Sequence, residues 1–224
     1  MFSNTIINKS DGPFTKYHSK VANGDLSPDP AQEVLAKKLQ NIFENLGDLY
    51  PNRDEITWKE RLGLRRKKKK LIKGLYIYGD VGRGKSMLMD LFYETIPFEH
   101  KRRVHFHAFL QDVHARFNDF RAENPEGGDP IPSVAEAISE ETLVLCFDEF
   151  QVVNIVDAMI LARLFEGLFE RNVIIIATSN RPPKDLYKDG LQREKFLPFI
   201  DLVTLNLDVF HLGAARDYRL ERML

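Results

Sequence analysis

The fold this sequence predicts is a three-layer α/β architecture with a mostly parallel sheet, and three observations predict it. Leu75-Tyr76-Ile77-Tyr78 runs into Gly79-Asp80-Val81-Gly82-Arg83-Gly84-Lys85-Ser86 and then Met87-Leu88-Met89-Asp90-Leu91, a strand, a glycine-rich loop and a helix in direct succession. Leu143-Val144-Leu145-Cys146-Phe147 is apolar throughout and ends in Asp148-Glu149, as suits a central parallel strand covered on both faces. From the first of these stretches onward, short apolar runs alternate with segments of helical period, the pattern of strands joined by helical crossovers.

Taken in order, residues 1–30 are polar and broken by Gly12-Pro13, Gly24, Pro28 and Pro30. They predict an arm with little core of its own, anchored by Phe14 and Tyr17. Ala31 to Leu49 carries Val34, Leu35, Leu39, Ile42, Phe43 and Leu46 at helical spacing, with Asp29 as N-cap and Pro30 at the first helical position. The expected organisation is an arm and amphipathic helix over 1–60, a basic linker over 61–73, a core over 74–208 and the start of a C-terminal region over 209–224. Within the core, Arg103–Phe109 alternates as a strand that places His105 and His107 on one face. Leu110–Glu123 reads as a helix, 124–130 as a loop, and Ser133–Ser139 as a short helix. Ile155–Glu170 is helical and Val173–Thr178 is a buried strand. Lys184–Tyr187 and Leu191–Phe199 read as helical turns, and Leu202–Leu207 as the last strand.

Composition bounds the function classes. With 224 residues, 43% of them hydrophobic and 29% charged, the chain is long enough for one good core and a small appendage. The net charge of −1 gives no global basic field of the kind an obligate nucleic-acid binder carries, so nucleic acid is not the expected partner. The run Arg65-Arg66-Lys67-Lys68-Lys69-Lys70 is a solvated linker or a contact for phosphate or acidic lipid. It lacks the interleaved aromatics of a stacking platform, which favours the linker. The single cysteine, Cys146, fits a reducing compartment and reads as a small core side chain. No apolar run approaches the roughly 20 residues of a membrane span, and the start lacks the apolar core of a secretory signal. A cytoplasmic protein is expected.

The chemistry is concentrated at two strand ends. Gly79–Ser86 fits the pattern G-x-x-x-x-G-K-[ST], whose glycines let backbone N–H groups curl around phosphate oxygens at a helix N-terminus. Residues Gly79, Asp80, Val81, Gly82, Arg83, Gly84, Lys85, Ser86 and Met87 are therefore the expected nucleotide cradle. Lys85 is the point charge for the outer phosphates, and the Ser86 hydroxyl is a ligand for Mg²⁺. Asp148, about 60 residues downstream at the end of its own strand, is the second metal-holding residue. Glu149 beside it is placed to orient and deprotonate an attacking water. Asn180, at the end of the strand 173–178, is a candidate sensor of the terminal phosphate, or an ordinary turn asparagine. His105, His107 and His114 have no Cys or carboxylate at ligand spacing, so zinc is not assigned. Asp157 reads as a helix N-terminal charge or a partner contact, with the former favoured.

Several of these segments together resemble a known family. Gly79–Ser86, Phe147-Asp148-Glu149-Phe150, Ala177-Thr178-Ser179-Asn180-Arg181-Pro182-Pro183 and Leu186-Tyr187-Lys188-Asp189-Gly190-Leu191-Gln192-Arg193 are similar to the ZapE cell-division ATPase family. That family belongs to the AAA+ class and has mitochondrial relatives. Gly12-Pro13, Asp29-Pro30-Ala31-Gln32 and Val104-His105-Phe106-His107 extend the resemblance over most of the chain. It implies a P-loop NTPase of AAA+ type with a five-stranded core, ATP and Mg²⁺ as cofactors, and a protein partner such as a division-ring component or a protease substrate. It also implies a homo-oligomer in which an arginine reaches a neighbouring copy's site. Arg193 occupies that region, with Arg181 as the second choice. Gln32 is either a reader of the base or a solvent-facing glutamine. The family's helical lid is not evident before Leu224, and neither Arg216 nor Arg219 is assigned the lid's sensor role. Two other readings stay open: a nucleotide-gated nucleic-acid binder of the helicase-loader kind using 65–70, and a switch that binds ATP without turnover. Glu149 beside Asp148 favours hydrolysis over a kinase, which must exclude water.

Overall fold

The computed structural model describes residues 11–49 and 72–213. The basic run 65–70, Arg216 and Arg219 lie outside them. The chain divides into two compact units, and among the described residues one takes 11–49, 72 and 87–99 while the other takes 73–86 and 100–213.

In the first unit, Pro13–Ala22 forms helix α1 and Pro30–Leu49 forms α2. The arm expected over 1–30 thus contains a helix at 13–22 that the sequence pattern left unassigned. Gly12-Pro13 opens a helix there, with proline at its first position, where the missing N–H costs nothing. Of the two expected anchors, Tyr17 is buried and Phe14 half-buried. The Tyr17 hydroxyl donates to Asp29 O at 3.2 Å, and the Phe14 N–H donates to Gln40 Oε1 at 3.3 Å, so the first half of α1 is fastened to α2 and its cap at two points. Asp29 caps α2 as expected, accepting from the N–H groups of Ala31 at 2.8 Å and Gln32 at 3.3 Å. Leu35, Leu39, Ile42, Phe43 and Leu46 are buried along one stripe, while Val34 and Gln32 are half-buried. The body of α3 (Lys85–Thr95) also belongs to this unit and buries Leu88, Met89, Leu91 and Phe92.

The second unit is a five-stranded sheet in the order β2-β3-β4-β1-β5, with β1 (Gly74–Tyr78), β2 (Lys101–His105), β3 (Val144–Asp148), β4 (Ile174–Ser179) and β5 (Leu207–His211). Every neighbouring pair is parallel, with Leu75 opposite Ile176, Phe147 opposite Ala177 and Tyr78 opposite His211. β3 and β4 are buried along their full length, as continuous apolar runs predict. Helices α4 (Phe106–Glu123), α5 (Pro130–Glu141), α6 (Ile155–Glu170) and α7 (Leu197–Asn206) complete the unit, with single 3₁₀ turns at Pro183–Asp185 and Arg193–Lys195. An aromatic column fills the core: Phe106 lies 5.2 Å from Phe147, Phe147 5.9 Å from Phe165, and Phe165 5.2 Å from Phe199, measured between ring centroids.

Two strand assignments from sequence are corrected. The strand expected over Arg103–Phe109 stops at His105, which sits opposite Asp148, the last residue of β3, so the ladder has no partner beyond it. Phe106, Phe109, Leu110, Val113 and Phe117 are all buried, and their spacing is helical from residue 106 onward. His105 and His107 therefore do not share a pleat. Of the strand expected over Leu202–Leu207, residues 202–206 are instead the end of α7, because Phe199, Ile200 and Val203 bury one helical face. The strand is Leu207–His211, with Leu207 and Phe210 buried and Asp208, Val209 and His211 exposed. α5 is also longer than expected, since Asp129 accepts from the Ile131 N–H at 3.2 Å and caps a helix that starts on Pro130.

Phe165 joins Phe147 to Phe199 in the aromatic column. Phe165→Ala is expected to cost about 3–5 kcal/mol in urea unfolding, whereas Phe165→Leu, which leaves a smaller void, costs less than half of that.

Candidate functional site

The carboxyl ends of β1, β3 and β4 meet where the strand order reverses, which is where ligands of open α/β sheets bind. β1 delivers the glycine loop. At Gly79, with φ 154°, a Cβ would lie 2.3 Å from the Leu212 carbonyl oxygen, so no side chain fits. Gly84 has φ 87°, again in the region that only glycine enters freely. The loop is held from behind by the segment after β5: the Leu212 N–H donates to Tyr78 O at 2.7 Å, and Arg83 Nη2 donates to Gly213 O at 2.8 Å.

Lys85 is buried, and its ammonium makes three hydrogen bonds, two to the loop and one to the residue after β4. Nζ donates to Gly79 O at 2.7 Å, Asp80 O at 2.8 Å and Asn180 Oδ1 at 3.0 Å. Burial pulls the Lys85 pKa down, against the opposing pull of Asp80 and Asp148. An ammonium stripped of water and held by neutral oxygens is a strong attractor for a phosphate. Asp148, also buried, divides its two oxygens. Oδ1 accepts from the Ser86 hydroxyl at 2.8 Å and the Thr178 hydroxyl at 2.6 Å, while Oδ2 accepts from Arg103 Nη2 at 3.1 Å. Burial pushes this carboxyl up, yet the hydrogen bonds of Thr178 and Ser86 and the Arg103 charge outweigh it and hold the pKa below the ordinary value. A hydroxyl and an ionised carboxylate at this separation suit a hard cation that keeps most of its own water.

Glu149 follows with φ 54°, a left-handed conformation that costs a non-glycine residue about 1–3 kcal/mol. β4 holds the turn in place, the Glu149 N–H donating to Thr178 Oγ1 at 3.3 Å and the Phe150 N–H to Thr178 O at 2.7 Å. The exposed Glu149 side chain, Asn180 and Arg181 line a cavity of about 370 Å³ whose wall includes Val152, Val153 and Tyr187. The buried Tyr76 hydroxyl donates to Arg181 O at 2.9 Å and fixes the backbone beside Asn180.

Of the residues singled out from sequence, Lys85 is thus bonded to Asn180 and Ser86 to Asp148, with Glu149 following Asp148 in the chain. Arg193 is not among them; its guanidinium donates to the Lys184 carbonyl in the segment between β4 and α7. Asp157 lies in the first turn of α6 as expected and takes His114 Nε2 at 2.7 Å as a partner. Sequence reasoning missed Thr178 and Arg103. A lone hydroxyl near the end of an otherwise apolar run is the signal that would have found Thr178, and nothing in the spacing marks Arg103.

The sequence model of the AFG1-like ATPases matches residues 12–224. The chain belongs to the AFG1-like ATPase family. Cell division protein ZapE of Escherichia coli is 38% identical to it over 94% of the chain and 57% of its own length. Lactation elevated protein 1 homolog B of Danio rerio is 38% identical over 93% of the chain and 50% of its length. The chain thus spans about half the length of these curated family members. Among solved structures, domain III of the Thermotoga maritima replication initiation protein DnaA shares the fold, with a TM-score of 0.54 at 15% identity, over 94% of this chain and 69% of that one. AMPPCP-bound DnaA of Aquifex aeolicus aligns with a TM-score of 0.54 at 14% identity, over 97% and 55%. The AFG1-like chain therefore has a P-loop NTPase fold. Among the described residues, no helix is long and apolar enough to cross a membrane.

Because the folded Asp148 pKa is depressed, its contribution to stability is complete above the ordinary carboxylate range near pH 4 and is lost as pH falls through the lower folded value. Thr178→Val removes one of the bonds responsible, so its acid-unfolding midpoint, followed by circular dichroism, is expected at higher pH than that of the parent chain.

Proposed function

We propose that this chain binds Mg²⁺-ATP in the loop 79–87, hydrolyses it to ADP and phosphate, and uses the cycle to remodel or regulate a protein partner. The observation that carries the reading is the 2.8 Å bond between Ser86 and Asp148 beside the Lys85–Asn180 contact, which brings both motifs to one point. Bound Mg²⁺ would be held by Ser86 and, through its water, Asp148, and would supply charge neutralisation to the phosphates.

The chain's own groups do the rest. The loop amides and the N-terminus of α3 cradle the phosphates, and Lys85 exchanges its carbonyl partners for phosphate oxygens. Glu149 takes the proton of the attacking water, and Asn180, already an acceptor for Lys85, turns its amide toward the terminal phosphate and that water. Residues 74–208, with β5 continuing to His211, are the proposed catalytic core. Arg193 acts in a second copy's site and stabilises charge there in trans, an effect that reaches about 10³–10⁵-fold in other phosphoryl-transfer enzymes. By analogy with the E. coli relative's name, the protein partner belongs to cell division.

Wild type is expected to release phosphate from ATP with no acceptor present. Lys85→Ala is expected to abolish release, and Glu149→Gln to slow it by about 10²–10⁴-fold with ATP binding retained. Phosphate release at an unchanged rate in Lys85→Ala would remove the assignment. Mixing Lys85→Ala with Arg193→Ala subunits is expected to restore part of the activity, and no recovery would rule out Arg193 as the trans group.

A further inference from the structure

Asp148 has a cationic partner that neither sequence motif contains. Arg103 lies on β2, the edge strand next to β3, and its Nη2 stands 3.1 Å from Asp148 Oδ2. Ser86 and Thr178 occupy only the other oxygen. The two partners differ in access: the Arg103 side chain is 28% exposed and the Asp148 side chain 8%. The carboxylate is therefore fixed, while the guanidinium has a route toward solvent.

We propose that Arg103 is the resident counter-cation of Asp148 and competes with a divalent metal for it, so that metal settles at Ser86 and Asp148 only when it arrives with a triphosphate. This inference rests on the Mg²⁺-ATP reading for its purpose. The reasoning is electrostatic. A buried carboxylate without a counter-charge is costly, and Arg103 supplies one. A hydrated divalent ion arriving alone would have to push a positive guanidinium off Oδ2 with no anion present to receive it, and the two cations repel. A metal carried by a triphosphate brings a net negative charge, and two of its outer oxygens can accept both arms of a guanidinium fork. Arginine suits this exchange because its fork can release one acceptor while turning to another. Arg103 is thus a positioning residue that makes metal binding conditional on nucleotide.

The test uses the full chain without nucleotide, with Mn²⁺ as the probe and the free ion read by electron paramagnetic resonance. Arg103→Met is expected to bind Mn²⁺ about tenfold more tightly than wild type, the size of change that a neighbouring guanidinium makes in a carboxylate's affinity for a proton. Arg103→Lys, which keeps the charge, stays close to wild type, and adding Asp148→Asn to Arg103→Met abolishes the gain. In the presence of Mg²⁺, Arg103→Met is also expected to lose several-fold of its affinity for ATP but not for ADP. Unchanged or weaker Mn²⁺ binding in a folded Arg103→Met chain overturns the proposal, and Arg103→Gln gives the same readout if the methionine variant does not fold. Because the Mn²⁺ measurement needs no turnover, a wild-type chain that releases no phosphate would remove the ATPase reading while leaving the competition itself decided.

Discussion

The structure depends on one carboxylate kept ionised inside a parallel sheet. Asp148 ends a fully buried strand, and a charge there survives only with several donors in place. Those donors come from three other parts of the sheet region: Ser86 from the start of the helix after β1, Thr178 from β4 and Arg103 from β2. The same bonds that stabilise the charge therefore fix the spacing of the strand ends. The geometry of the candidate site and the stability of the fold are one problem here, solved by one set of contacts.

Thr178 shows how closely the two are joined. Its hydroxyl donates to Asp148 and accepts from the Glu149 N–H, and its carbonyl accepts from Phe150. One residue of β4 thereby grips three consecutive residues of the acidic turn. That grip offsets the left-handed backbone of Glu149, whose position at the rim of the cavity follows from the turn. Asn180, two residues on, is held by Lys85 on one side and by the Tyr76–Arg181 bond on the other.

Much of this was legible in the sequence, for identifiable reasons. The glycine loop declares itself because close backbone approach leaves no freedom of residue type, as Gly79 against Leu212 shows. β3 and β4 were legible because burial on both faces demands continuous apolar runs. The two strand errors lie at the edges of the sheet. β2 is only half-buried and β5 exposes three of its five residues, so neither pattern is dominated by the core, and each adjoins a helix whose apolar stripe blurs the border. α1 was hidden because Gly-Pro reads equally as a turn or as a helix start. Thr178 and Arg103 escaped because their roles depend on strand order, and pairing between segments distant in sequence leaves no local trace. Arg193 is a different case: the role proposed for it needs a second molecule, and in one chain its guanidinium donates to the Lys184 carbonyl.

The attachment of the glycine loop to the residues just past β5 has a mechanical meaning. Leu212 is bonded to Tyr78 and packed against Gly79, and Gly213 is held by Arg83, so the chain leaving the sheet is tied at successive points to the glycine-rich turn. Tension or rotation applied to the backbone at Gly213 would be delivered straight to that turn, with no intervening helix to absorb it. The exit from the last strand is in effect a lever arm whose fulcrum is the glycine-rich turn itself.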